Sequence, residues 1–125
     1  MTTLTIEVAI PEELSQVRHA IDNHLEARSV EPELRRDIVL CASEATANAL
    51  VHSGSVPSRP VTVDVQVGLT IVVVVTDYGR WKQESPGHVG RGLQIVQSLA
   101  TTFAISAVEA GTTVTFTFNR EPIPR

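Results

Sequence analysis

"VTVDVQVGLTIVVVVTD", Val61 to Asp77, reads as two strands joined by a turn. Val61, Val63, Val65 and Val67 fall on one face of the first, with polar residues between them, the period-two pattern of a strand with one buried side. The second, Leu69 to Asp77, is a nearly continuous apolar run, as expected for a strand in the interior of a sheet. Gly68 helps make the turn between them.

Upstream, "LTIEVAI" alternates so that Leu4, Ile6, Val8 and Ile10 share a face, which predicts an opening strand. Pro11 then starts a helix from Glu12 to about Arg28, with Leu14, Val17, Ile21 and Leu25 as a packing stripe. A second helix is expected from Glu31-Pro32-Glu33, where proline suits the first turn and acids suit the positive end of the dipole, to about His52. Residues Ser53 to Pro60 are rich in glycine, serine and proline and predict a loop.

Downstream, Tyr78 to Gly90 reads as irregular, and "LQIVQSLA" resumes a helical pattern through Leu93, Val96 and Leu99 or Ala100. "TFAISAV" and "TTVTFTF" pair as a hairpin around Glu109-Ala110-Gly111, followed by a loose tail from about residue 119. Strand, helix, helix, strand, strand, helix, strand, strand lacks the regular alternation of a parallel Rossmann sheet. The order predicts a two-layer α/β (α+β) sandwich, with a mostly antiparallel mixed sheet and about three helices on one face.

The 125 residues suit one domain, 1–125, with a real core. A net charge of -4 argues against a general attraction to nucleic acid or to an anionic membrane. A small ligand or a protein partner fits better. One cysteine, Cys41, allows no internal disulfide, and the chain shows neither a signal peptide nor a membrane-length apolar run, so the cytoplasm is the expected location.

Four polar intrusions carry the chemistry. On the second helix Leu34, Ile38, Cys41 and Ala45 form an apolar stripe, with Asn48 at its border and Glu44 further round. Glu44, Asn48 and His52 make a polar ridge about 12 Å long at 1.5 Å per residue, and burying its carboxylate without a partner costs several kcal/mol. Hydrogen bonding of a half-exposed ridge to nearby backbone is the plain alternative. Asp77 ends an apolar strand just before Gly79, either as an acceptor for a ligand or as the start of an Asx turn. A receiver-type phospho-acceptor needs an early acidic pair and a late lysine, and Lys82 is the sole lysine.

"GHVGRGLQIV" brings Gly87, Gly90 and Gly92 to the opening of a helix, where free N–H groups and the dipole favour an anion such as phosphate. It lacks the lysine and hydroxyl of a P-loop, and a flexible loop is the plain alternative. Thr112 shares strand parity with Val114, Phe116 and Phe118, so its hydroxyl is expected on the core side, with Thr113, Thr115 and Thr117 facing away.

Taken in order, "EATANALVH", "DYG", "GRGLQIV" and "GTTV" resemble the nucleotide-binding motifs of the histidine-kinase-like ATPase superfamily, and most closely its bacterial anti-sigma-factor serine/threonine kinases. The resemblance implies ATP and Mg²⁺ as cofactors, with Glu44 as general base and Asn48 as the protein's magnesium ligand. It implies that Asp77 accepts from the adenine amino group with Thr112 near the same edge, and that Gly79 permits the turn beside adenine. Gly90 and Gly92 would present N–H groups to phosphate, while His52 reads as a packing or capping residue; apart from the resemblance, Arg80, Lys82, His88 and Arg91 could supply positive charge there. The implied partners are a STAS-type anti-sigma-factor antagonist and a sigma factor, with a homodimer compatible and no direct nucleic acid or membrane contact.

The chain departs from that pattern twice. Trp81 stands where a further glycine is usual, and only twelve residues, Tyr78 to Val89, separate Asp77 from Gly90. The segment that closes over the phosphates is therefore short. A partner-switching module with a weak or vestigial nucleotide site is the competing expectation.

Overall fold

The computed structural model describes residues 2–53, 59–78, 91–108 and 111–120, apart from the side chains of residues 52, 53, 91 and 108. The elements run β1 (Thr2–Val8), a 3-10 turn (Pro11–Glu13), α1 (Leu14–Glu26), α2 (Pro32–Ser53), β2 (Val61–Val67), β3 (Thr70–Asp77), α3 (Arg91–Leu99), β4 (Thr102–Val108) and β5 (Gly111–Asn119). The five strands form one open sheet in the order β1-β2-β3-β5-β4, and every pairing is antiparallel. The expected interior strand is thus the central one.

Strand parity decides which side is covered. Val61, Val63, Val65, Ile71, Val73, Val75, Val114 and Phe116 are all buried on the face that carries the helices, while Thr62, Asp64, Val72, Val74, Thr113 and Thr115 on the opposite face are half-buried. Val17, Ile21 and Leu25 of α1, with Ile38, Cys41, Ala42, Ala45 and Ala49 of α2, complete the core. Burying each large aliphatic or aromatic side chain contributes about 1.5–3 kcal/mol. Alanine and cysteine on the inner face of α2 let that helix lie close over β3. Phe116 and Phe118 meet edge to face with ring centroids 6.0 Å apart, the arrangement that aligns ring edge with ring face.

The α1–α2 connection is closed by its own hydrogen bonds. Ser29 takes a left-handed φ of 59°, Val30 N–H donates to the Leu25 carbonyl and Ser29 N–H to the Glu26 carbonyl, which together form a Schellman ending. Arg35 fastens the hairpin by pairing with Asp22 at 2.9 Å and donating to the Val30 carbonyl at 3.1 Å. From the far end of the chain Arg120 donates to the Arg28 and Ser29 carbonyls, both at 3.1 Å. Beneath this knot His24 Nε2 and Arg28 Nε are buried without a hydrogen-bond partner among the described residues. Burial and then the Arg28 charge lower the His24 pKa, against the Thr2 carbonyl.

Two sequence expectations are corrected in detail, at Ile10 and Leu69, and a third, left open between Leu99 and Ala100, is resolved. Ile10 does not continue the first strand and is 44% exposed. The Glu13 carboxylate accepts from the Ala9 and Ile10 N–H groups at 2.8 and 3.1 Å, which turns the backbone out of the sheet and into the 3-10 turn. Leu69 lies outside β3 at 92% exposure. In α3 the core contact falls to Ala100, just past its end, while Leu99 is 38% exposed.

Candidate functional site

α2 reaches Glu44 and Asn48 one turn apart, and both are half-buried. Four residues on a helix return to nearly the same face, so the carboxylate and the amide stand side by side. Their flank of α2 is the one facing α3. A β-carbon placed on Gly92 would lie 3.6 Å from both the Glu44 β-carbon and its carbonyl oxygen, so the first turn of α3 rests against Glu44. That contact puts the N-terminal end of a nine-residue helix, whose first N–H groups have no partner within the helix, beside an acid.

The second half of the site is made by the sheet. Asp77 ends β3 at 2% exposure, and Thr112 of β5 stands opposite it in register at 2% exposure. Both project to the helix-covered face, because Asp77 shares parity with Val75 and Val73 and Thr112 with Val114 and Phe116. A carboxylate survives such burial only with compensating interactions, and Asp77 is not without them. It is the buried acid of an otherwise valine-lined strand.

Cys41 lies on the buried face of α2. Burial first, and then the Asp37 and Glu44 carboxylates, push its thiol up to about 12. The Glu44 charge is therefore felt at the core boundary. Thr46, also fully buried, donates to the Ala42 carbonyl at 2.6 Å, which satisfies its hydroxyl within the helix and leaves it no part in the site.

The structure brings together Glu44 with Gly92, and Asp77 with Thr112. Arg91 opens α3, and its side chain lies outside the described residues, as do Gly79, Gly90, Trp81 and the side chain of His52. By sequence Gly111 reads as a turn residue and as the first residue of "GTTV", with no site role of its own. It opens β5 with φ +152° and packs against the Asp77 carbonyl. The adjacency of a glycine to the core-facing Thr112 was the available signal.

Among the described residues, no three His, Cys, Asp or Glu side chains gather to hold a metal ion, and no helix is long and apolar enough to cross a membrane. A shallow groove of about 250 Å³, lined by Ser15, Arg18, His19, Asp22 and Val39, lies on the α1 side of α2, away from Glu44. There Arg18 donates to Ser43 at 3.2 Å.

A five-strand antiparallel sheet with its helices on one face, an acid buried at a strand end and a second acid on the helix over it make up an open α+β sandwich. The model of the histidine kinase-like ATPase domain matches residues 8–118, and the chain belongs to that family. No curated protein sequence matches the chain.

Among solved structures, the RsbU and RsbW domains of Rv1364c from Mycobacterium tuberculosis are similar over 100% of this chain and 34% of that one, with 23% identity and a TM-score of 0.81. SiaB, in the SiaB-SiaC complex from Pseudomonas aeruginosa, gives 15% identity and a TM-score of 0.72 over 92% of this chain and 88% of that one. The histidine kinase domain of the Erythrobacter litoralis EL346 blue-light activated kinase gives 25% identity and 0.64 over 88% and 60%. The chain thus spans about a third of the first of these structures and three-fifths of the last.

Proposed function

We infer that the chain binds ATP with Mg²⁺ and acts as a protein serine/threonine kinase on a STAS-type anti-sigma-factor antagonist. The carrying observation is the buried Asp77–Thr112 pair at the end of the central strand, in a chain of the histidine kinase-like ATPase family. A buried carboxylate is an acceptor that selects an amino group on a flat base, and a threonine hydroxyl opposite it can donate or accept, directly or through water. These donors and acceptors fit an adenine edge.

When bound, ATP with Mg²⁺ supplies the transferable phosphoryl group. Asn48 would give magnesium one oxygen ligand, which suffices because this ion takes its remaining ligands from phosphates and water. Glu44 would accept the proton of the attacking serine or threonine hydroxyl. Held on a 22-residue helix and braced by Gly92, it meets the demand of phosphoryl transfer for fixed groups rather than mobile ones. The Gly90 and Gly92 N–H groups and Arg91 would hold phosphate at the start of α3. A sigma-factor-holding state and the homodimer implied by the family resemblance belong to the same reading.

The test is incubation with Mg²⁺, labelled ATP and STAS-type antagonists encoded beside the gene. Label appearing on a serine or threonine supports kinase action, and its absence at saturating ATP rejects it.

Trp81 and the short Tyr78–Val89 segment favour a second reading, a binding module that switches partners without turnover. The similarity to SiaB, whose structure is a complex with SiaC, is compatible with it. Calorimetry separates the two, since a module with a vestigial site captures its partner and gives no heat with ATP and Mg²⁺.

A further inference from the structure

Gly111 is the first residue of β5, opposite Val108 of β4, and the next residue, Thr112, faces Asp77 on β3 and Ala107 on β4. Its φ of +152° is one that side-chain-bearing residues rarely adopt. A β-carbon here would overlap the Asp77 carbonyl oxygen and lie 3.0 Å from both the Asp77 carbonyl carbon and Tyr78 Cα. All three obstacles are backbone atoms, so no change of rotamer relieves the collision. Two strand ends meet through the space of a missing side chain, at the rung beside the pair of buried polar groups.

We propose that Gly111 is a positioning residue for base selection. By letting the start of β5 close on the Asp77 peptide, it sets where the Thr112 hydroxyl stands relative to the Asp77 carboxylate. This assignment rests on the proposed function, in which Asp77 accepts from an adenine amino group. Guanine carries a carbonyl oxygen where adenine carries that amino group, and a carboxylate repels it. Selection of ATP over GTP therefore depends on Asp77 staying in place. Any side chain at position 111 pushes the two strand ends apart and relaxes that selection.

Calorimetry with ATP and with GTP, each with Mg²⁺, tests this on the wild-type chain, Gly111→Ala, and Gly68→Ala in the turn at the other end of β3. Gly111→Ala is expected to weaken ATP binding about tenfold or more, from a backbone conformation forced on a side-chain-bearing residue, and to bring the ATP-to-GTP affinity ratio towards one. Gly68→Ala should leave both unchanged. A merely structural glycine would lower the unfolding midpoint and keep the ratio, and that result overturns the proposal.

If Gly111→Ala fails to fold, amide chemical shifts of the wild-type chain decide. Gly111 and Thr112 must move as ATP is added, and their silence while ATP binds elsewhere overturns the assignment. Absence of ATP binding by the wild-type chain is a different result, which removes the nucleotide reading and this inference with it.

Discussion

Thr112 stands directly across the β3–β5 ladder from Asp77, and each is 2% exposed. Facing residues in an antiparallel pair hold their β-carbons about 4.5–5.5 Å apart, so the hydroxyl and the carboxylate share one small volume. Replacing Asp77 by asparagine keeps the size and swaps an obligate acceptor for a group that can also donate. Asp77→Asn is expected to weaken ATP binding about ten- to a hundredfold, the range for losing one hydrogen bond to a charged group. Calorimetry measures it, and unchanged binding would refute the adenine role.

Glu44 separates chemistry from affinity. It lies against the start of α3, and as a general base it would act on the acceptor hydroxyl. Glu44→Ala should reduce phosphoryl transfer by about 10²–10⁴-fold while leaving ATP affinity within a few-fold. Single-turnover transfer and equilibrium binding, measured on the same preparation, check this together. Parallel loss of both would remove the residue from the chemical step.

The His24 knot makes stability depend on acid. Burial and the neighbouring Arg28 hold the His24 pKa below 6.5 in the folded chain. Below that value the unfolded chain binds the extra proton more readily. The contribution is complete above about 6.5 and is lost as pH falls through the depressed folded value. Urea midpoints for the wild type and His24→Gln should converge on acidification, and parallel curves would contradict this.

Cys41 should be inert. A thiol pushed up to about 12 by burial and by the Asp37 and Glu44 charges has little thiolate at pH 8, and thiolate is the reactive form. A disulfide-exchange reagent is expected to label the native chain only as fast as it opens, and the urea-unfolded chain at once. The folded chain keeps its thiol proton to higher pH than the unfolded one, so this group withdraws stability as pH rises from about 9 towards 12.

Periodicity made much of this molecule legible. The alternation at Val61–Val67 and Val114–Phe118 placed the core face of two strands, and with it the inward side of Thr112. The stripe of Ile38, Cys41 and Ala45 placed the buried side of α2, and left Glu44 and Asn48 on a flank. Order along the chain did not reveal that β5 sits between β3 and β4, because strand neighbours are chosen by contacts distant in sequence. The departure of Ile10 also escaped, since Glu13 caps a backbone whose leading residue is an isoleucine rather than a serine or threonine. The glycine beside the core-facing Thr112 was visible in the sequence, but its close approach to the Asp77 backbone arises across strands and was not.

The placement of β1 bears on synthesis. Among the described residues Thr2–Val8 pairs only with Val61–Val67, and Arg120 fastens the α1–α2 turn from 92 residues away. A ribosome releases the first strand long before its partner emerges. Until then β1 offers an unpaired row of N–H and C=O groups to anything nearby. The slowest and most error-prone stage of biogenesis should thus be the wait of this strand for β2, and early folding should be confined to the local α1–α2 hairpin.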